Sequence, residues 1–377
     1  MTIRQSEAEP MHYLDNASTT KVTESAATAV LNAMINQFGN PSSVHSLGIE
    51  AEGIVERARS EIAKSLGCKP EEIIFTSGGT EADNLAVIRG AELLKRRGRH
   101  IITTEIEHSA VTNAAKYLEE NGFEVTYLAP AKDGAVAIAD IEKAIRPDTI
   151  LLSMMLANNE TGVLQPVVEA SRLLKAKNPF ALVHSDAVQG YLKRRFTVNS
   201  LGVDMLSISA HKIHGPKGAG ALYIRNGIKL KPMTHGGGQE SGLRSGTEAV
   251  PAIAGFGEAV KEAFSTLPDN ISYVDKLREM LQEGLKNLPG VTEIASGGSI
   301  INIAVPKYPT EVIIRMLESR QIYVSGGSAC SRGKKSRILE AMRVPQNLLK
   351  SSIRISLSWH NSEDDIHALL EALKQIS

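Results

Sequence analysis

Residues 205–225 read MLSISAHKIHGPKGAGALYIR. Two short apolar runs, MLSIS (205–209) and GALYIR (220–225), flank a stretch too short and too glycine-rich for a helical crossover. The second run is therefore expected to return antiparallel beside the first. Upstream, runs of this kind alternate with longer amphipathic segments. Strands are expected at EIIFTS (72–77), HIITTE (100–105), EVTYLA (124–129), TILLSMML (149–156) and ALVHSD (181–186). Helical patterns fall at 50–66, 81–96, 109–120, 139–145 and 167–175. Such alternation predicts an α/β fold with a mostly parallel seven-stranded sheet, covered on both faces and carrying one antiparallel member.

Beyond about residue 258 the rhythm changes. Helical stretches at 273–288, 310–319 and 363–374 flank INIAVP and SIRISLS, with a further helix over 252–264 as the join. This predicts a large domain over 13–258 and a smaller α/β C-terminal domain over 259–377 that takes in residues 1–12.

The 377 residues are 42% hydrophobic and 22% charged, with 42 Lys+Arg against 42 Asp+Glu. That balance gives no reason to expect direct nucleic-acid or membrane-surface binding. No apolar run approaches the roughly 20 residues of a membrane span, and MTIRQSEAEPMHYLDN lacks the apolar core of a secretory signal. A cytoplasmic chain with free thiols is expected. Cys68, in SLGCKPEE, reads as a small hydrophobe at a helix end. Cys330, in SGGSACSR (325–332), has almost no apolar company and lies among small residues with basic ones following.

Ligands of open α/β sheets bind beyond the carboxyl ends of the strands. There the sequence delivers SGGTEADN, IEHSAV, ANNETG, DAVQ and SAHKIHGPKGAG. Gly79 and Thr80 precede a helix start whose N–H groups suit a phosphate; a tight turn with a threonine cap is the alternative. Neither a P-loop nor a G-x-G-x-x-G fingerprint is present. Lys212 is either a surface loop lysine or, desolvated, a nucleophilic amine. An imine-forming lysine plus an aspartate for a pyridinium nitrogen is the minimum kit for pyridoxal 5′-phosphate, and Asp186 is placed to be that aspartate. His108 either caps the next helix or stacks on such a ring and moves protons. His184, His211 and His214 raise zinc as an alternative, but no acidic or thiolate cluster completes a shell, so no metal is expected.

Taken in order, YLDNASTT, FGNPSSVH, SGGTEADNLA, NNETGVLQP, HSDAVQG, HKIHGPKGAG, RSGTEAVP, GGSACS and IRISLS resemble the NifS/IscS-type cysteine desulfurases. These belong to the class V aminotransferase group of fold-type I pyridoxal-phosphate enzymes, and the likeness spans nearly the whole chain. It implies that Lys212 binds the cofactor covalently, Asp186 its ring nitrogen, and that His108 lies over the ring. It implies Asn159 and Gln189 at the ring hydroxyl and Gly79, Thr80, Ser209 and His211 at the phosphate. Thr247 resembles the threonine that reaches this phosphate from the other subunit of a homodimer. Arg354, with Asn159 nearby, would hold the carboxylate of L-cysteine, a task that suits a planar guanidinium. Cys330 resembles the nucleophile that takes up sulfur as a persulfide, releases alanine and hands the sulfur to a protein acceptor. An iron–sulfur scaffold or a tRNA-thiolation enzyme is the acceptor this implies.

Arg332 stands where the family usually has a serine, within a basic segment that includes Lys334, Lys335 and Arg337. These cations are candidates for lowering the Cys330 pKa or form a solvated basic segment. The competing expectations are a selenocysteine lyase or other class V enzyme, a non-catalytic sulfur-relay scaffold, and a zinc hydrolase. A transaminase has no use for Cys330, and a scaffold has none for the full set of Lys212, Asp186, His108 and Arg354.

Overall fold

The computed structural model describes residues 11–327 and 336–377. The strands, in chain order, are β1 (His12–Tyr13), β2 (Ile73–Thr76), β3 (His100–Thr104), β4 (Glu124–Leu128), β5 (Thr149–Ser153) and β6 (Leu182–Asp186). They continue with β7 (Met205–Ser209), β8 (Gly220–Ile224), β9 (Thr292–Gly297), β10 (Ile300–Ala304), β11 (Ile322–Tyr323) and β12 (Ser352–Ser356). Seven of them form one sheet in the order β2-β8-β7-β6-β5-β3-β4. All its pairings are parallel except those of β8, which runs antiparallel to both β7 and β2. The expected hairpin is thus present, with Ser209 opposite Gly220.

β3, β5, β6, β7 and β8 are buried at every position, as a sheet covered on both faces requires. One face packs against the helices Glu24–Ile35, Ser46–Leu66 and Val250–Ser265, the other against Gly79–Leu94 and Ser109–Glu120. Two histidines inside the sheet are paired across strands. His100 sits between Thr149 (2.7 Å) and Thr126 (2.8 Å), and His184 between Ser153 and Ser207 (both 2.9 Å). The expected strand 149–156 stops at Ser153, yet Met154 and Leu156 still donate N–H bonds to the carbonyls of His184 and Asp186. This extension carries the chain past the sheet edge toward Asn159.

A second sheet, β12-β10-β9, is antiparallel throughout. Its core joins Ile301, Ile303, Ile353 and Ile355 to Leu277, Leu281, Leu369 and Leu373 of the helices Leu267–Lys286 and Glu363–Ile376. Leu14 packs into that core, and β1 pairs parallel with β11. The first described residues are therefore held by the C-terminal part of the chain, and the loop that follows, 15–20, lies between the two sheets. Among the described residues, no helix is long and apolar enough to cross a membrane.

Candidate active site

The carboxyl ends of the central strands open on a cavity of about 260 Å³. Gly79, Thr80, His108, Asn159, Asp186, Gln189, Ser209, His211, Lys212 and Arg354 all line it. Residues that sequence reading placed on five strand ends are thus brought together. Thr247 is exposed and is not among the lining residues of this cavity, and Cys330 lies outside the described residues.

The helix Gly79–Leu94 begins at one end of the cavity. Backbones close up here. A Cβ at Gly79 would stand 2.7 Å from Val188 Cγ2, and one at Gly220 would stand 2.6 Å from Gly78 Cα. Thr80 does not cap the helix: Gly78 holds the N-cap position with no side-chain bond, and Glu81 Oε2 instead accepts the Ser77 N–H at 2.6 Å. The free helix N–H groups, with Ser209 and His211 beside them, form an anion-binding end. Burial, then Lys212, pushes His211 down to about 4, so its ring is neutral at physiological pH.

Lys212 closes a short turn after β7. Its Nζ donates to the carbonyls of Ala17 (2.6 Å) and Ser18 (2.8 Å). Asp186 ends β6, and its Oδ1 accepts the Val188 N–H at 2.9 Å. Burial raises the Asp186 pKa, while His108, that N–H bond and Lys212 pull it back. A cationic ring nitrogen is the kind of partner that this buried carboxyl needs. His108 caps the next helix and also faces the cavity. Its Nδ1 accepts the Ala110 N–H at 3.2 Å, capping the helix Ser109–Glu120, while the ring lines the cavity. Burial, then Lys212 and Arg337, lowers its pKa against the opposing pull of Asp186. With Nδ1 accepting, the neutral ring carries its proton on Nε2.

Arg354 is 1% exposed. It donates to the Asn159 carbonyl (2.8 Å), Asp15 Oδ1 (2.8 Å) and Ser18 Oγ (2.6 Å). Gln189 Nε2 donates to the Ala17 carbonyl at 2.9 Å, and Gln189 Oε1 accepts from Lys193 Nζ at 3.1 Å. Asp15, Ala17 and Ser18 thus organise Lys212, Gln189 and Arg354 together. YLDNASTT is visible as a motif in the sequence, yet these residues carry no signal of their role there, because most of their contacts use backbone carbonyls. Asp83 was also missed. It is 1% exposed, lines the cavity, and places a carboxylate oxygen within 4.8 Å of donor atoms of both His108 and Asp186.

The three histidines of the zinc alternative are each engaged separately. His184 lies inside the sheet, His211 meets Thr19 Oγ1 at 3.2 Å, and His214 Nδ1 donates to the Lys21 carbonyl at 2.8 Å. Arg337 is likewise committed, since its guanidinium donates to the Glu105 and Glu107 carbonyls and to Thr112 Oγ1. That fixes it on the turn before His108. Arg332, Lys334 and Lys335 lie outside the described residues.

An amine, a buried carboxylate and an anion-binding helix end meet around one cavity, and the chain belongs to the class-V aminotransferase family, whose model matches residues 12–369. Within that family it is 40% identical to the cysteine desulfurase IscS of Dictyoglomus turgidum over 373 residues, 97% of this chain and 94% of that one. A solved NifS-like protein superposes with a TM-score of 0.92 at 40% identity, covering 97% of this chain and 99% of its own. SspA in complex with cysteine superposes with a TM-score of 0.81 at 32% identity, covering 93% and 100%. The seven-stranded sheet is accordingly that of a fold-type I enzyme.

Proposed function

We propose that the chain is a cysteine desulfurase that removes sulfur from L-cysteine, releases L-alanine and passes the sulfur on from Cys330. The observation that carries this reading is the convergence of Lys212, Asp186 and His108 on one cavity whose far end is a helix N-terminus. That donor set fits pyridoxal 5′-phosphate. Lys212 supplies the amine for its aldehyde, Asp186 the charge for its ring nitrogen, and Asn159 and Gln189 the partners of its ring hydroxyl. Gly79, Thr80, Ser209 and His211 hold its phosphate. When bound, the cofactor supplies an electron sink for the carbanion left as the substrate Cα proton departs.

The protein's own residues do the rest. Arg354 orients the substrate carboxylate, and its guanidinium is already held in place by Asp15 and Ser18. His108 Nε2 carries or accepts a proton above the reacting carbon. The Cys330 thiolate attacks the substrate sulfur: an S–S bond forms, the Cβ–S bond breaks, and its electron pair stays on carbon to be quenched by a proton, giving alanine. An acceptor thiolate then attacks the outer sulfur, a new S–S bond forms as the old one breaks, and Cys330 leaves as the thiolate; the acceptor is an iron–sulfur scaffold or a tRNA-thiolation enzyme.

A homodimer is supported by a run of exposed apolar side chains within residues 31–49, including Leu31, Met34, Ile35, Phe38 and Val44. Thr247, exposed on this chain, is then the contact offered to the partner's phosphate. We place the domain division near residue 258, with residues 1–12 joining the C-terminal domain, and the protein in the cytoplasm.

The test is to mix the protein with pyridoxal phosphate and L-cysteine and assay alanine and sulfide under reductant. Cofactor-dependent alanine that Cys330→Ser abolishes is expected. Alanine from selenocysteine alone, insensitive to Cys330→Ser, would replace this reading with a selenocysteine lyase. No alanine from either would leave a sulfur-relay scaffold.

A further inference from the structure

Gln189 presents its amide to the cavity from the turn after β6, and both ends of that amide are engaged. Oε1 accepts from Lys193 Nζ at 3.1 Å, while Nε2 donates to the Ala17 carbonyl at 2.9 Å. The same carbonyl accepts from Lys212 Nζ at 2.6 Å. Lys193 lies four residues after Gln189 and has no part in the chemistry derived above. An ammonium offers three N–H donors and no acceptor, so only the amide oxygen can face it. The nitrogen is thereby turned the other way.

We propose that Lys193 is a positioning residue: its amine holds the Gln189 oxygen away from the cavity, so that Gln189 meets the cofactor's ring hydroxyl with an N–H. This rests on the assignment of a pyridoxal-phosphate site. A ring hydroxyl that has lost its proton needs donors, and an inverted Gln189 would aim an oxygen at it.

The arrangement is tied to pH. Burial, then the charges of Lys212 and Arg354, pushes the Lys193 amine down to about 7. The other titratable groups that sense Lys193 are His211 and His214, both pushed down to about 4 chiefly by burial, so neither changes charge near neutrality. Below pH 7 the amine is a cation and the amide is fixed. Above it, the neutral amine gains a lone pair, can accept from Nε2, and the constraint on the amide relaxes.

The experiment measures the rate at which bound pyridoxal phosphate dissociates, as a function of pH, in the holoenzyme and its variants. In the unmodified chain dissociation is expected to be about fivefold faster on the alkaline side of neutrality, the worth of one hydrogen bond. Lys193→Arg, which stays charged, is expected to hold the slow acid-side rate throughout. Lys193→Met is expected to show the fast rate throughout. In a Gln189→Ala background the Met exchange should change nothing, because the two residues act as one unit.

A stepped profile in Lys193→Arg would overturn the proposal. So would a Lys193 effect that persists in Gln189→Ala, since the charge alone would then be acting. If Lys193→Met does not fold, the Lys193→Arg profile decides alone. A chain that retains no pyridoxal phosphate at any pH would overturn the functional reading itself, and this inference with it.

Discussion

Glu107 is a carboxyl that the fold has buried completely beside the cavity wall. Its Oε1 accepts the Thr104 hydroxyl (2.7 Å) and the Met155 N–H (3.0 Å), while Oε2 has no hydrogen-bond partner. Burial outweighs those bonds and raises its pKa to about 8. The folded chain thus keeps a proton that the unfolded chain loses near the ordinary value of 4.5, and stability falls as pH rises through this window. Glu107→Gln mimics the protonated form, so it should leave the melting temperature unchanged only at or below the ordinary value of 4.5. In mild alkali it should stabilise the protein by roughly 1–3 kcal/mol. The buried histidines act in the opposite direction. His184 is pushed down to about 3, and His211 and His214 to about 4. The unfolded chain takes up protons first as pH falls below the ordinary 6.5, so stability declines from there toward pH 4. In Glu107→Gln, where that opposing carboxyl is removed, a melting temperature that rises on acidification through that range would contradict this account. Arg354→Lys keeps the charge but loses the bidentate fork. The Michaelis constant for L-cysteine should rise about tenfold or more, with a smaller change in kcat.

At the scale of the element, the helix Ser109–Glu120 and the residue that starts it have two jobs to separate. His108→Asn keeps a side-chain oxygen able to cap the helix, whereas His108→Ala removes cap and ring together. Both should lower alanine formation by about 10²- to 10⁴-fold. Only the alanine variant should also lose about 1 kcal/mol of stability by chemical denaturation. An active His108→Asn enzyme would reduce His108 to a cap. This helix was legible in the sequence to the residue, because SAVTNAAKYLEE places its apolar positions on one face. The helix Glu24–Ile35 was not, because Leu31, Met34 and Ile35 are exposed and blur the amphipathic pattern that marks a surface helix. Strand ends were legible for the same reason that most of the site was: β-branched runs stop where polar residues begin. What stayed hidden are contacts made across the fold. The carbonyls of Ala17 and Ser18 have no side-chain signature, Lys193 looks like any lysine until its amine is seen against Gln189, and Asp83 reads as one more acid in a helix's first turns.

For the molecule as a whole, the cavity sits where the loop 15–20, anchored through Leu14 and β1 to the C-terminal core, crosses the ends of the central strands. Each site therefore draws on both apolar cores of its own chain, and among the assigned residues that the structure describes Thr247 alone does not line the cavity. If Thr247 completes the site of a partner copy, complementation will show it. A Lys212→Ala chain cannot bind the cofactor covalently, and a Thr247→Ala chain leaves its partner's phosphate short of one contact. In a hybrid dimer of the two, one site is defective twice over. The other combines an intact Lys212 from the Thr247→Ala subunit with an intact Thr247 from the Lys212→Ala subunit. Random reassociation should thus restore about a quarter of all sites. Tight cofactor retention, absent from either parent, should appear in that fraction. If Thr247 served only its own chain, mixing would restore nothing, because every site would keep the defect it started with.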